Sequence, residues 1–356
     1  MERRIGLRQV IYVISLFLIA QLFGLFLTVM MNSPSSAYLA SSAASTQNSN
    51  PVSFVFWLVI NVIIAVLIIM LILRYYRGDL FFKLLEAYII IFGSFFLFLV
   101  LIGDILPSMG VVPQSLMSLA LAALLFLVKN RTNKFRNVVT LATSIGAGIF
   151  IGISIGLGFG FLALYFLLGI FAVYDYLAVF VLKFMIPFAR EAVKRNLAFM
   201  IGSSDLEILP RGSARRRVEK EDLSRINNTR VKSLIKKGNV PIVSSVMLGN
   251  GDIILPMSLV VGSYVIYANI FLSVMVVVGS TVGLMATMLL LRKYKVGLPA
   301  IPPLFAFISI ALTMVFLATR QPDSFMVYVF FAASIPSIVA MVVTLDRMKK
   351  ASKLSS

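Results

Sequence analysis

The 356-residue chain contains no cysteine. That excludes a disulfide framework, a thiol nucleophile and a thiolate metal site. Histidine is also absent, which removes HExxH zinc hydrolysis, Ser-His hydrolysis and most imidazole metal sites. Enzymatic chemistry is left to carboxylates, lysines, tyrosines or a bound cofactor; of these, no metal site and no resident cofactor are expected. Charge is scarce too: 13% of residues are charged, about half the share in a soluble domain. What is abundant is apolar. Hydrophobic residues make up 60% of the chain, and the mean hydropathy is +0.99. These values describe a polytopic membrane protein, in contact with the lipid bilayer over most of its length.

Ten apolar runs are long enough, or nearly so, to cross a bilayer: residues 10–31, 53–73, 84–103, 114–128, 137–158, 161–187, 241–264, 268–291, 299–318 and 324–345. The fourth needs flanking residues to reach across. The first exceeds the roughly 7–15 apolar residues of a signal-peptide core, so it reads as an uncleaved span. The net charge is +18. In so apolar a chain the basic residues are expected to anchor cytoplasmic loops on anionic lipid, and no nucleic-acid partner is expected. The connections support this. Of the 32 lysines and arginines, only Arg320 falls on the alternate set of loops. Both termini are therefore expected on the cytoplasmic side.

Four parts follow along the chain. Residues 1–187 hold six spans, 188–240 form a cytoplasmic linker, 241–318 hold spans seven to nine, and 319–356 hold an extra span and a basic tail. Within the linker, Phe188 and the residues after it suggest a short amphipathic surface helix. The charge-dense run 211–237 suggests a solvated, irregular segment. Glycines at 148, 152, 156 and 160 make a smooth ridge suited to close helix packing.

Most of the 14 acidic residues lie in loops or at span ends. Asp175 and Asp252 do not. Each lies inside an apolar run, where a charged group costs on the order of 2.5–3.5 kcal/mol at a helix centre. An intramembrane carboxylate marks function and calls for a partner. If both runs are helical, Asp252 lies about 16 Å past Pro241 and Asp175 about 18 Å before Pro187. The two then reach similar depth and can meet. Adjacent carboxylates cannot easily ionise together, so one serves as acid and the other as base. That is the equipment of aspartyl proteolysis. Gly249 and Gly251 leave the backbone beside Asp252 bare. Pro299, Pro302 and Pro303 lack N–H donors, and predict an extended segment opening the ninth span.

Tyr174-Asp175, the Gly-Asn-Gly-Asp of residues 249–252 and Pro299-Ala300-Ile301 resemble, in order and spacing, the YD, GxGD and PAL motifs of the presenilin and signal peptide peptidase family. The similarity covers residues 10–318, with Ile301 where the family has leucine. The short single chain is similar to archaeal homologues. The resemblance implies an all-α bundle of nine transmembrane helices, to which residues 324–345 would add a tenth. It implies an intramembrane aspartyl protease that cuts transmembrane-helix substrates, whether membrane proteins or signal-peptide remnants. Asp175 and Asp252 would be the catalytic pair, and Tyr174, Gly249, Gly251, Pro299, Ala300 and Ile301 would shape the site and hold substrate. Two rival readings of the acids stand beside it: a carboxylate-driven transporter or channel, and a prepilin-type peptidase.

Overall fold

The fold is that of a computed structural model, which describes residues 6–30, 80–106, 108–131, 136–181, 200–210, 239–294, 299–319 and 328–336, with helical positions at 56–57, 60, 64, 338–339 and 342–343. Apolar runs become helices because hydrocarbon offers the backbone no partner outside the segment. The helices are α1 (Leu7–Met30), α2 (Leu80–Ile105), α3 (Val111–Arg131), α4 (Arg136–Gly158), α5 (Phe161–Tyr176), α6 (Gly251–Tyr267), α7 (Ile270–Tyr294) and α8 (Ile301–Thr319). Among the described residues six helical stretches are long and apolar enough to cross a membrane, and Ile90–Gly103, within α2, and α6 are shorter apolar stretches. The short fourth run gains its length as expected, from flanking residues in α3. Of the second and tenth runs, the described positions are helical. The amphipathic segment after Pro187 and the charge run 211–237 lie outside the described residues.

The seventh run departs from expectation. It is not one helix: Asn239–Gly249 forms strand β2, antiparallel to β1 (Met200–Pro210), with Met200 opposite Gly249 and Pro210 opposite Asn239. Val240, Ile242, Val243 and Val246 are β-branched and suit a strand. A continuous apolar run has no period to distinguish strand from helix. Helix α6 starts only after this ribbon, so a helical rise from Pro241 does not set the depth of Asp252. The ribbon also crosses the boundary drawn at residue 240.

Two apolar clusters build the bundle. One gathers α5, α7, α8 and Phe330 around Tyr165, Leu168, Ile308 and Phe316. The other gathers α1, α4 and α6 around Phe17, Ile149, Ile153 and Met257. Helix α1 thus packs inside the bundle. The glycine ridge on α4 is a packing surface. A methyl at Gly152 would stand 2.7 Å from Met257 Cβ, and one at Gly156 would stand 2.7 Å from the Ser258 carbonyl oxygen. Gly160 does not belong to the ridge, since it lies beyond α4 at the N-cap of α5. On the other side, Gly283 lets α7 approach the first turn of α8, where a methyl would meet Leu304 Cα at 2.6 Å.

Candidate active site

Asp175 sits in the last turn of α5, immediately before a π-helical turn, Leu177–Val181. It is 7% exposed. A π turn widens the helix and interrupts its regular bonding, a feature common at functional sites. The Ile301 N–H donates to Asp175 Oδ2 at 3.2 Å. Ile301 is the first residue of α8, so its N–H has no partner within its own helix. The start of α8 is therefore capped by a carboxylate from α5. The Ala300 amide lies beside the same carboxylate.

The proline segment is less extended than its composition suggests. Among the described residues Pro299 and Ala300 precede the helix, and Pro302 and Pro303 lie within its first turn. Proline is tolerated there because first-turn N–H groups are unbonded in any case. These two prolines therefore account for a helix start, and the described non-helical backbone of the motif is Pro299 and Ala300.

Asp252 occupies the first turn of α6, directly after the ribbon. The Gly249 N–H donates to Asp252 Oδ2 at 3.3 Å. At Gly251 an added methyl would meet nothing within 4 Å, whereas at Gly249 it would stand 3.6 Å from Asp252 Oδ2. The open side of the joint is thus at Gly251. Four residues beyond Asp252 lies Pro256, inside α6. It has no N–H, so the Asp252 carbonyl receives no helical bond from it.

The two carboxylates lie within electrostatic reach of each other. Asp175, Ala300 and Ile301 share one neighbourhood, and Gly249 joins Asp252 directly. Tyr174 stands next to Asp175, its ring 6.3 Å from Phe171 in an edge-on arrangement. Among the described residues no group of three or more acidic side chains could hold a metal ion.

Three polar residues near the site carry contacts that the sequence did not disclose, among them Asn250, which the motif contains but to which it assigns no role. Ser144 on α4 meets Asn250: the asparagine Nδ2 lies 3.0 Å from Ser144 Oγ and 3.3 Å from the Ser144 carbonyl oxygen. The Ser144 hydroxyl is also 3.1 Å from Asn250 Oδ1. Gln21 on α1 donates from Nε2 to the Ile253 carbonyl at 3.1 Å. A search confined to ionisable groups passes over all three. A glutamine within an apolar span was the visible signal.

Comparison with curated proteins finds no match. The family model described as signal-peptide peptidase, presenilin aspartyl protease matches residues 14–320. That range takes in most of α1, all of α2 through α8, both strands and every motif residue around the two aspartates. Apolar helices and family together make this an integral, multi-pass membrane protein. The chain belongs to the signal-peptide peptidase and presenilin family of intramembrane aspartyl proteases.

Proposed function

We propose that the protein hydrolyses peptide bonds within transmembrane segments by a two-aspartate, activated-water mechanism. The observation that carries this reading is that Asp175 and Asp252, on two separately built elements, lie within electrostatic reach of each other, with the Ala300–Ile301 backbone beside Asp175. One carboxylate takes a proton from water as the hydroxyl oxygen attacks the scissile carbonyl carbon. The other, protonated, donates to the carbonyl oxygen. Collapse of the tetrahedral intermediate breaks the C–N bond, and the departing amine takes up a proton. The pair, rather than either residue, then titrates, and the rate should be bell-shaped in pH.

A peptide bond inside a helix is shielded by its own hydrogen bonds, so the substrate must unwind before cleavage. The ribbon supports such a step. Its two strands pair with each other, and each has a second edge whose backbone groups can receive an extended chain. Residues 299–301 offer further backbone, and Tyr174 flanks the acid. The substrate class is accordingly single membrane-spanning helices, including signal-peptide remnants.

The basic-residue bias supports cytoplasmic termini and a cytoplasmic 211–237 segment. A cysteine replacing Ser213 should be labelled only from the cytoplasmic side, on a native background without cysteine. Labelling from outside would reverse the orientation. The activity itself is tested with purified protein and a fluorescently tagged single-span substrate. Wild type should release two fragments cut within the membrane, and Asp175→Asn and Asp252→Asn none. Robust cleavage by either variant would remove that residue from the mechanism.

A further inference from the structure

Asp252 stands at a joint. Before it the chain is a strand, and after it a helix. It has glycine on one side and a second glycine two residues earlier, and Pro256 removes the helical bond to its own carbonyl. Local bonds remain on either side of that gap: the Asn250 carbonyl accepts from the Ile253 and Ile254 N–H groups, and Asp252 Oδ2 accepts from the Gly249 N–H. Two side chains from different helices grip the joint as well. Ser144 on α4 holds residue 250, and Gln21 on α1 holds the carbonyl of residue 253.

Neither contact is explained by local needs. Asn250 is at the N-cap of α6, where asparagine ordinarily accepts from its own helix. Here it makes no cap bond and has a helical conformation, φ −59° and ψ −29°. Its amide is turned across to α4. Gln21 is fully buried in an apolar helix, and its Oε1 has no partner among the described residues. An orphaned buried acceptor is a net cost to stability, so packing alone does not account for a glutamine here. The orientation of its amide follows from the bond it makes, since only Nε2 can donate to a carbonyl.

We infer that Ser144, Asn250 and Gln21 are positioning residues that fix the register of Asp252 against Asp175. The inference rests on the reading of Asp252 as catalytic. None of the three touches the reacting atoms. They act by holding the peptide on both sides of the aspartate, from two of the helices that pack against α6. A displacement of the order of 1 Å in such a group costs about a hundredfold in rate.

The test is cleavage of the tagged single-span substrate by the full chain in detergent micelles, with melting temperatures measured in parallel. Ser144→Val and Ser144→Thr differ by one hydroxyl at nearly constant shape. Ser144→Val should lower kcat by roughly ten- to a hundredfold with little change in KM. Ser144→Thr should recover most of the rate. Gln21→Leu keeps the approximate volume, removes the orphaned acceptor, and should lower kcat in the same way without lowering the melting temperature. It decides the matter should Ser144→Val fail to fold. Ser144→Val and Asn250→Ala break one link, so their combination should be no slower than the worse single change. Wild-type kcat in both Ser144→Val and Gln21→Leu overturns the inference, as does a rise in KM alone. An inactive wild type, or an active Asp252→Asn, would instead strike at the proposed activity.

Discussion

Asp175 and Asp252 carry the same side chain and are held in different ways. Asp175 lies within a helix that is fixed by packing: Tyr165, Leu168 and Ala172 from α5 share one apolar cluster with Ile301 and Phe305 from α8. Its carboxylate in turn caps α8. Asp252 lies at a change from strand to helix, between Leu248 and Ile253 of the second cluster, with a glycine beside it and hydrogen bonds to α1 and α4 added to the apolar packing. One acid is a fixed point. The other sits on a joint that two helices can move. The contrast suits a site that must stay open to a substrate strand on one side while keeping its geometry on the other.

The sharpest way to break the comparison is to remove each acid. If the two act as one unit, Asp175→Asn, Asp252→Asn and the double change should all reduce cleavage to background, a loss of at least 10²–10⁴-fold on the scale of general acid–base catalysis. The double change should then lose nothing further. Residual activity in the single variants that multiplies down in the double variant would mean that the acids work independently.

Packing on the Asp175 side gives the second prediction. Phe330 is fully buried, with ring centroids 4.7 Å from Tyr165 and 5.3 Å from Phe316. Tyr165 is itself fixed: Ser309 donates to the Phe305 carbonyl at 2.7 Å, which leaves the Tyr165 hydroxyl to donate to Ser309 Oγ at 2.6 Å. In lipid the transfer component of burial shrinks, so Phe330→Ala should lie at the low end of the range for such cavities, about 3 kcal/mol. A detergent melt that does not move would detach residues 328–336 from the bundle.

The sequence disclosed the two aspartates and most helix spans because length and depth in an apolar run are properties of the chain alone. It disclosed less of what surrounds them. The strand before Asp252 was hidden because Pro-Ile-Val-Ser-Ser-Val-Met-Leu has no clear alternation, and apolar runs are equally at home in buried helices. The Ser144–Asn250 contact joins residues 106 positions apart, and a serine within a span is unremarkable by itself. The prolines were over-read for the opposite reason. Three of them within five residues suggested extended chain, yet two fall where a helix accepts proline most readily.

That correction moves the third prediction from the prolines to the amide they surround. Ile301→Pro deletes the N–H that donates to Asp175 Oδ2 at 3.2 Å while placing proline at the first helical position, which α8 can accommodate. A hydrogen bond to a carboxylate contributes about 1.5–3 kcal/mol, or roughly ten- to a hundredfold in turnover if it is needed in the transition state. Pro302→Ala should change turnover far less, since it restores an N–H that α8 does not use. Equal effects from the two substitutions would mean that backbone shape, not the donor, governs the Asp175 side.

The smallest effect belongs to the Asp252 side and has the opposite sign. Along α4 the ridge is uneven. Gly152 and Gly156 face α6 so closely that any side chain must displace it, whereas a methyl at Gly148 would stand 3.8 Å from Ile253 Cγ2 and 3.9 Å from Ile254 Cγ1, ordinary contact distances. Alanine is the better helix residue by roughly 0.5–1 kcal/mol. Gly148→Ala should therefore raise the melting temperature slightly while Gly152→Ala lowers it. The position is informative beyond stability, because its new methyl would touch the residues just after Asp252. If the joint is loose and held only by its tethers, filling this space should leave cleavage intact or quicken it. A stabilised Gly148→Ala protein with slower turnover would mean that α6 must move against α4 during the reaction, and that the mobile member of the pair is the helix rather than the turn.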